Sequence, residues 1–370
     1  MKPDFQRDVY CLLGLPFDAV RMQDVVLRVR QAARQRQSLF FSTPNVNFVI
    51  ASLVDGRFRG SVVESDLSFV DGMPLIWVAR LLGIPIRERI AGSSLFEALR
   101  VGSSNQLSVF FFGAPEGVAE TACRRLNDES SCLKCAGFDF PGFGSVEELS
   151  DDARIARINA SNADFLVVSL GAKKGQEWIM RNRARLAIPV ISHLGAVANF
   201  VAGAVGRAPG WMQRYGLEWV WRIKEEPQLW RRYLRDGVVL IKLLITRVIP
   251  YVWYLRRHGA KGDDVAEARV DTRDEDGLYL VRLSGAWTQQ NIGTLRRCFA
   301  EAVRIGRDVT LEMSGVSYVD SAFVALALLL QGHQARCFRR LLVVGCRESV
   351  LRIVRYCCAE SLTWSESVER

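Results

Sequence analysis

One acidic residue stands out in the stretch "LSFVDGMPLIW" (67–77). Asp71 follows an apolar run and precedes Gly72, Met73, Pro74, Leu75, Ile76 and Trp77. A carboxylate packed among such neighbours loses solvent, which raises its pKa and suits it to take a proton near neutrality. The plain alternative is a turn, because Gly tolerates positive φ and Asp bonds its own backbone. Upstream, "STPNVNF" supplies Thr43, Asn45 and Asn47. These short polar groups can hydrogen-bond a sugar or a nucleobase, or cap a helix. Downstream, "PIRERIAGSSLF" offers Arg87 and Arg89 before Gly92, Ser93 and Ser94. A cation beside a helix N-terminus can hold phosphate, and the same pattern also reads as surface charge before a Ser cap.

Two glycine loops, "FFGAPEG" (111–117) and "GAKKGQEW" (171–178), each leave an apolar run and open a helical pattern. Neither fits G-x-G-x-x-G or the P-loop, so the dinucleotide and ATP fingerprints are absent. In the second loop Lys173 and Lys174 are candidates for phosphate, and Gln176 and Glu177 for other ligand contacts. "CLKC" (132–135) is a lone CxxC with no second pair, and the only histidines are His193, His258 and His333. No metal site and no Ser-His triad are expected. The cysteines number nine and are scattered, which predicts free thiols in a reducing compartment instead of a disulfide framework.

The elements that would position these residues are legible as repeats of one form. "LSVFFFGAPEG", "ADFLVVSLGAKKG" and "IPVISHLGAVANFVAG" are each a buried strand running into a glycine-bearing loop. Their alternation with helical patterns over 1–205 predicts an α/β domain with a mostly parallel sheet, binding ligands beyond the carboxyl ends of its strands. Residues 206–258 differ, being dense in Trp and Tyr, with ten Lys and Arg against four Asp and Glu between Arg214 and Arg257. Ile241, Leu244, Ile245, Val248, Ile249 and Val252 fall on one helical face and Lys242, Thr246 and Arg247 on the other. This basic amphipathic helix either lies on an anionic membrane or packs on a neighbouring domain or subunit. Lys242, Arg247 and Pro250 interrupt its most apolar window, so it is not expected to cross a bilayer. No secretory signal is expected at the N-terminus. The net charge of +9 favours an anionic partner. Because the basic excess alternates with an apolar face, lipid fits better than nucleic acid. After a polar linker at 259–269, strands and helices alternate again over 270–370, enough for a second, small domain.

Read in order, "LLGLPFD", "TPNVNF", "DLSFVDGMPLIW", "RERIAGSSLF", "FFGAPEGVAE", "GAKKGQEW", "GRAPGWMQRYGLEWVWR" and "EEPQLWRRY" resemble the WecB/TagA/CpsF glycosyltransferase family over roughly 9–245. The resemblance implies a Rossmann-like core that transfers a sugar, with inversion, from a UDP-sugar to a saccharide on undecaprenyl diphosphate. It places the work at the cytoplasmic membrane face, in exopolysaccharide or other cell-surface polysaccharide synthesis, with no metal or other cofactor. Carried over by motif, Asp71 is the general base, and Thr43, Asn45, Arg89 and Gln176 bind substrate. An appendage bearing Arg214, Arg222, Arg231 and Arg232 completes the site and docks to membrane. Inverting transfer needs one base on the acceptor hydroxyl and cations or helix N-termini for the departing diphosphate, which are the residue types present. Two departures, "GAKKG" in the Gln loop and Gln228-Leu229 after "EP", keep open a second reading: a degenerate transferase serving as a membrane-bound adaptor.

The tail stretch "VTLEMSGVSYVDSAFVALALLL" is similar to the signature of STAS domains. The likeness implies a small α/β fold, and a protein partner or kinase that phosphorylates Ser321. About two negative charges would then arrive at a helix N-terminus. Asp320-Ser321 also reads as a simple helix cap. Self-association, the sugar and the acceptor saccharide are left open.

Overall fold

The computed structural model describes residues 4–101, 106–130, 132–259, 262–275 and 277–362. The chain opens with an antiparallel hairpin, β1 (Val9–Leu12) and β2 (Leu15–Asp18). Six strands then form one parallel sheet: β3 (Leu39–Ser42), β4 (Leu67–Ser68), β5 (Leu107–Gly113), β6 (Leu133–Asp139), β7 (Phe165–Ser169) and β8 (Val190–His193). Their spatial order is β4-β3-β8-β7-β5-β6. With helices on the sheet's faces, β5 and β7 are apolar along nearly their whole length, as expected of parallel strands buried on both faces. This is the parallel α/β architecture that the strand-and-glycine pattern predicts and the Rossmann-like core that the family resemblance implies.

The second unit carries β9 (Arg269–Glu275), β10 (Leu278–Trp287), β11 (Asp308–Val319) and β12 (Leu341–Val344), in the order β12-β11-β10-β9. Here β9 runs antiparallel to β10, and the other pairs are parallel. The expected strand and helix pattern of 270–370 is present as far as Leu362, and 363–370 lie outside the described residues. The stretch 259–269, expected as a linker, instead holds a short Gly262–Ala266 helix and the start of β9.

The two units share a core. The Ser321–Arg336 helix is buried continuously from Ser321 to Leu330. On one side lies its own sheet; on another lie β1, β2 and the Gly56–Val63 helix. One apolar cluster therefore runs from Leu12, Phe17 and Val62 into Phe323, Leu326 and Leu330. The turn of the hairpin shows how close the approach is. Leu13 and Gly14 both have positive φ, 50° and 89°, the two-residue geometry that suits hairpin twist. A Cβ on Gly14 would come within 2.8 Å of the Cys358 carbonyl oxygen. Asp18 anchors the other end. It accepts from Arg7 Nε at 2.9 Å and Nη2 at 2.6 Å, and from the Ser68 N–H at 2.7 Å. Arg7 Nη1 donates to the Ser65 carbonyl, so the buried charges are fully hydrogen-bonded.

From Pro227 to His258 the chain is helical almost throughout, with a π-helical turn at Leu244–Val248. Its most apolar window has a mean hydropathy of 1.7, so by length and composition alone it could cross a membrane. One face, however, is taken up by both units. Asn47 Nδ2 donates to Asp236 at 3.0 Å near the N-terminal half. Arg247 pairs with Glu360 at 2.8 Å, and Tyr251 stacks on Tyr356, near the C-terminal half. The single apolar face expected from the sequence is in fact two. Leu243, Val248 and Tyr251 point inward, while Trp230, Leu234, Val238, Ile241, Ile245, Ile249 and Trp253 are exposed. The Ile and Val set is split because Val248 faces the packed domains while Ile241, Ile245 and Ile249 continue one exposed row.

The cysteines also differ from expectation. Cys123, on the Val118–Glu129 helix, forms a disulfide with Cys135 on β6, with Cα atoms 5.1 Å apart, and the other seven keep their thiols. A helix packed beside the strand that follows it brings the two residues together, which spacing alone does not reveal.

Candidate active site

Three loops converge beyond the carboxyl ends of β3 and β4. The Ser42 carbonyl accepts from the Phe69 N–H at 3.2 Å, the Pro44 carbonyl from Asp71 at 3.0 Å, and the Val70 carbonyl from Ile90 at 2.8 Å. This lacing sets Asp71 between the "TPN" loop and the Gly92–Val101 helix, whose Gly92 N–H donates to the Asp71 carboxylate. A Cβ on Gly92 would lie 2.6 Å from Leu194 Cδ2, so any side chain there would force Leu194 to move. Thr43 lies nearly buried beside it, its Oγ1 3.6 Å from the same Cβ position. Asn45 caps the Val46–Val54 helix, its side-chain oxygen accepting from the Phe48 N–H at 3.2 Å.

Arg89 spans the space between this core and the 206–258 segment. Its Nε is 3.9 Å from Asp71 Oδ1, its Nη2 is 2.7 Å from Glu218 Oε2, and Nη1 donates to the Gln213 carbonyl. The Asp71 side chain keeps 28 % of its surface accessible, against 12 % for Arg89, so a substrate can reach it. Loss of solvent pushes the Asp71 pKa up to about 6, and the Glu218 charge pushes the same way. Arg89, the Gly92 N–H and Arg222 oppose the rise. Arg222 itself lies over the Phe200 ring and pairs with Glu226 at 3.1 Å. A partly accessible carboxyl poised near pH 6, with the Arg89 guanidinium beside it and the Arg222 charge nearby, can accept a proton from a hydroxyl and tolerate anionic charge.

A model described as Glycosyl transferase WecG/TagA/CpsF family matches residues 10–251, which contain every residue of this cleft. The chain belongs to that family. A second model, described as Mlab, STAS domain, matches residues 270–362. Among similar proteins is an N-acetylglucosaminyldiphosphoundecaprenol N-acetyl-beta-D-mannosaminyltransferase of Bacillus spizizenii, 28 % identical over 201 residues that cover 54 % of this chain and 76 % of the relative. A protein of the same name from Staphylococcus aureus is 26 % identical over 214 residues, covering 57 % and 82 %.

In this WecG/TagA/CpsF chain, Thr43, Asn45, Asp71, Arg89 and Arg222 are brought together, and other expected site residues are not. Gln176 is buried at 1 % exposure and donates to Ser42 Oγ at 3.0 Å. It braces the end of β3 from beneath instead of lining the cleft, because it falls on the inward face of the Ala172–Asn182 helix. Lys173 pairs with Asp55 at 2.6 Å and Lys174 donates to the Gly144 carbonyl, so both candidates for phosphate have protein partners. Arg231 and Arg232 lie over Trp230 and Tyr233, exposed on the surface of the long helix. Arg214 ends the Gly210–Arg214 helix, and its side chain lies outside the described residues. Glu218 was not expected, although a signal exists: it sits one helical turn before Arg222, so the turn that delivers one delivers the other.

Ser321 is 7 % exposed, under the β1–β2 hairpin. Asp320 caps the helix, accepting from the Ala322, Phe323 and Gln289 N–H groups. The Asp320 side chain thus caps the helix, as one of the two sequence readings has it.

Proposed function

We propose that this protein is an inverting glycosyltransferase that moves a sugar from a UDP-sugar to an undecaprenyl-diphosphate-linked saccharide in cell-surface polysaccharide synthesis. Asp71 takes the proton of the acceptor hydroxyl. Arg89, Arg222 and the helix N-terminus at Gly92 meet the charge of the departing nucleotide, so the proposal needs no metal or other cofactor. The acceptor class comes from the relatives, whose names specify a diphosphoundecaprenol-linked sugar. The observation that carries the reading is the accessible Asp71 carboxyl, raised to about 6 beside Arg89.

The protein sits peripherally on the inner face of the membrane, through the exposed row from Trp230 to Trp253. Arg231, Arg232, Arg235, Lys242, Arg256 and Arg257 flank that row as exposed cations, giving the apolar-plus-basic pair of signals that stable interfacial binding needs. Because the opposite face of this helix is packed on both domains, the helix lies along the bilayer instead of through it. The STAS domain acts within the chain by clamping the helix at Arg247 and Tyr251.

The test offers a panel of UDP-sugars with polyprenyl-diphosphate saccharides and identifies product by mass, comparing wild type with Asp71→Asn. Loss of about 10²–10⁴ in turnover is expected on removal of a general base. Full activity in a folded Asp71→Asn variant would overturn the assignment. The burial of Gln176 favours the alternative, a non-catalytic adaptor, and failure of every UDP-sugar to bind wild type would establish it.

A further inference from the structure

Arg89 is a single cation shared by two carboxylates of different origin. Asp71 comes from the parallel-sheet core, and Glu218 from the Glu218–Glu225 helix of the appendage. The sharing is uneven: 2.7 Å to Glu218 against 3.9 Å to Asp71. A second tether, from Nη1 to the Gln213 carbonyl, also belongs to the appendage. Between these two contacts the appendage backbone rests on the core, for a Cβ on Gly216 would lie 2.7 Å from Met73 Cβ, two residues after Asp71.

We propose that Glu218 is a positioning residue: by drawing Arg89 toward the appendage, it keeps Asp71 free to act as the base. The proposal rests on the reading of Asp71 given above and adds a dependence on docking of 206–258. The groups facing Asp71 are Arg89, Glu218, Arg222 and the Gly92 N–H. Those bonded to Arg89 are Asp71, Glu218 and the Gln213 carbonyl. Take away the Glu218 charge, or lift the appendage, and the guanidinium is released to close on Asp71. A close Arg partner lowers a carboxyl pKa by about 1–3 units, and a weaker base transfers protons more slowly. The base is thus strong only while the appendage is seated, which couples sugar transfer to the segment that carries the exposed membrane-facing row.

The experiment uses the full chain and measures kcat/KM against pH for wild type, Glu218→Gln and Glu218→Asp. In Glu218→Gln the acid limb should move down by about one pH unit and plateau kcat should fall about tenfold, with KM for the UDP-sugar changing less than about twofold. Glu218→Asp keeps the charge and should restore the limb. A readout free of turnover is the pH dependence of the stability difference between wild type and Asp71→Asn, which should shrink when Glu218→Gln is added. If Glu218→Gln does not fold, Glu218→Met removes the charge at similar length. An unmoved limb in a folded variant, or equal loss in the Gln and Asp variants, overturns the proposal. An inactive Asp71→Asn with an unmoved limb in Glu218→Gln would sink this proposal alone. An active Asp71→Asn would sink the reading beneath it.

Discussion

Replacing Asp71 by Asn should make the protein more stable while making it inactive, and the gain should depend on pH. Asp71 titrates near 6 in the folded chain and near 3.8 when solvated. Below both values the carboxyl is protonated in either state and contributes nothing. As pH rises from about 3.8 to about 6, the unfolded chain gives up the proton and the folded chain does not, so stability falls. Above about 6 the penalty is complete, and at 1.36 kcal/mol per unit it amounts to about 3 kcal/mol. Solvent reaching the open part of the side chain screens some of this, which puts the expected gain in Asp71→Asn at about 1–3 kcal/mol. Urea unfolding of wild type and variant at pH 4 and pH 8 reads the difference directly. The variant should match wild type at pH 4 and exceed it at pH 8. Equal differences at both pH values, or a variant weaker at pH 8, would refute the claim that the protein holds this carboxylate against its solvation preference.

Other outcomes follow from the same geometry. Ile241→Glu with Ile245→Glu should release the protein from anionic vesicles in flotation, since each buried Ile contributes about 1.5–3 kcal/mol. The unfolding midpoint should move little, as both side chains are exposed in the free protein. Intact mass after expression with active kinases should show no phosphate on Ser321. A Ser321→Glu variant should be destabilised by several kcal/mol, from a charge buried without a partner. Leu326→Ala should cost about 2–5 kcal/mol, and hydrogen exchange should quicken in β1 and β2 as well as in the STAS domain, because one cluster contains them all.

The parallel-sheet strands were legible because β5, β7 and β8 are apolar runs closed by glycine or a polar loop, and burial on both faces leaves no other reading. The burial of Asp71 was legible from its neighbours, and Asn45 caps the Val46–Val54 helix beside it, as the Thr-Pro-Asn pattern allows. The β1–β2 hairpin was not, because what holds it lies near the other end of the chain. Nor was the division of the long helix: Ile245 and Val248 are equally apolar, and only the packed neighbours decide which one faces out. Gln176 and Arg231 were placed by motif alone, and the facing of a helix, which motif order does not specify, moved both out of the cleft. Glu218 hid in plain view as an ordinary acidic residue at the start of a helix.

The hairpin has a further consequence for biosynthesis. Residues 9–18 emerge from the ribosome early, yet the helix that covers them begins at Ser321, about 300 residues later. At roughly 5–20 residues per second, Leu12, Leu15 and Phe17 wait on the order of 15–60 s for their cover. The nascent transferase half thus carries an uncovered greasy patch throughout its own translation, which makes it a client for chaperones until the Ser321–Arg336 helix arrives.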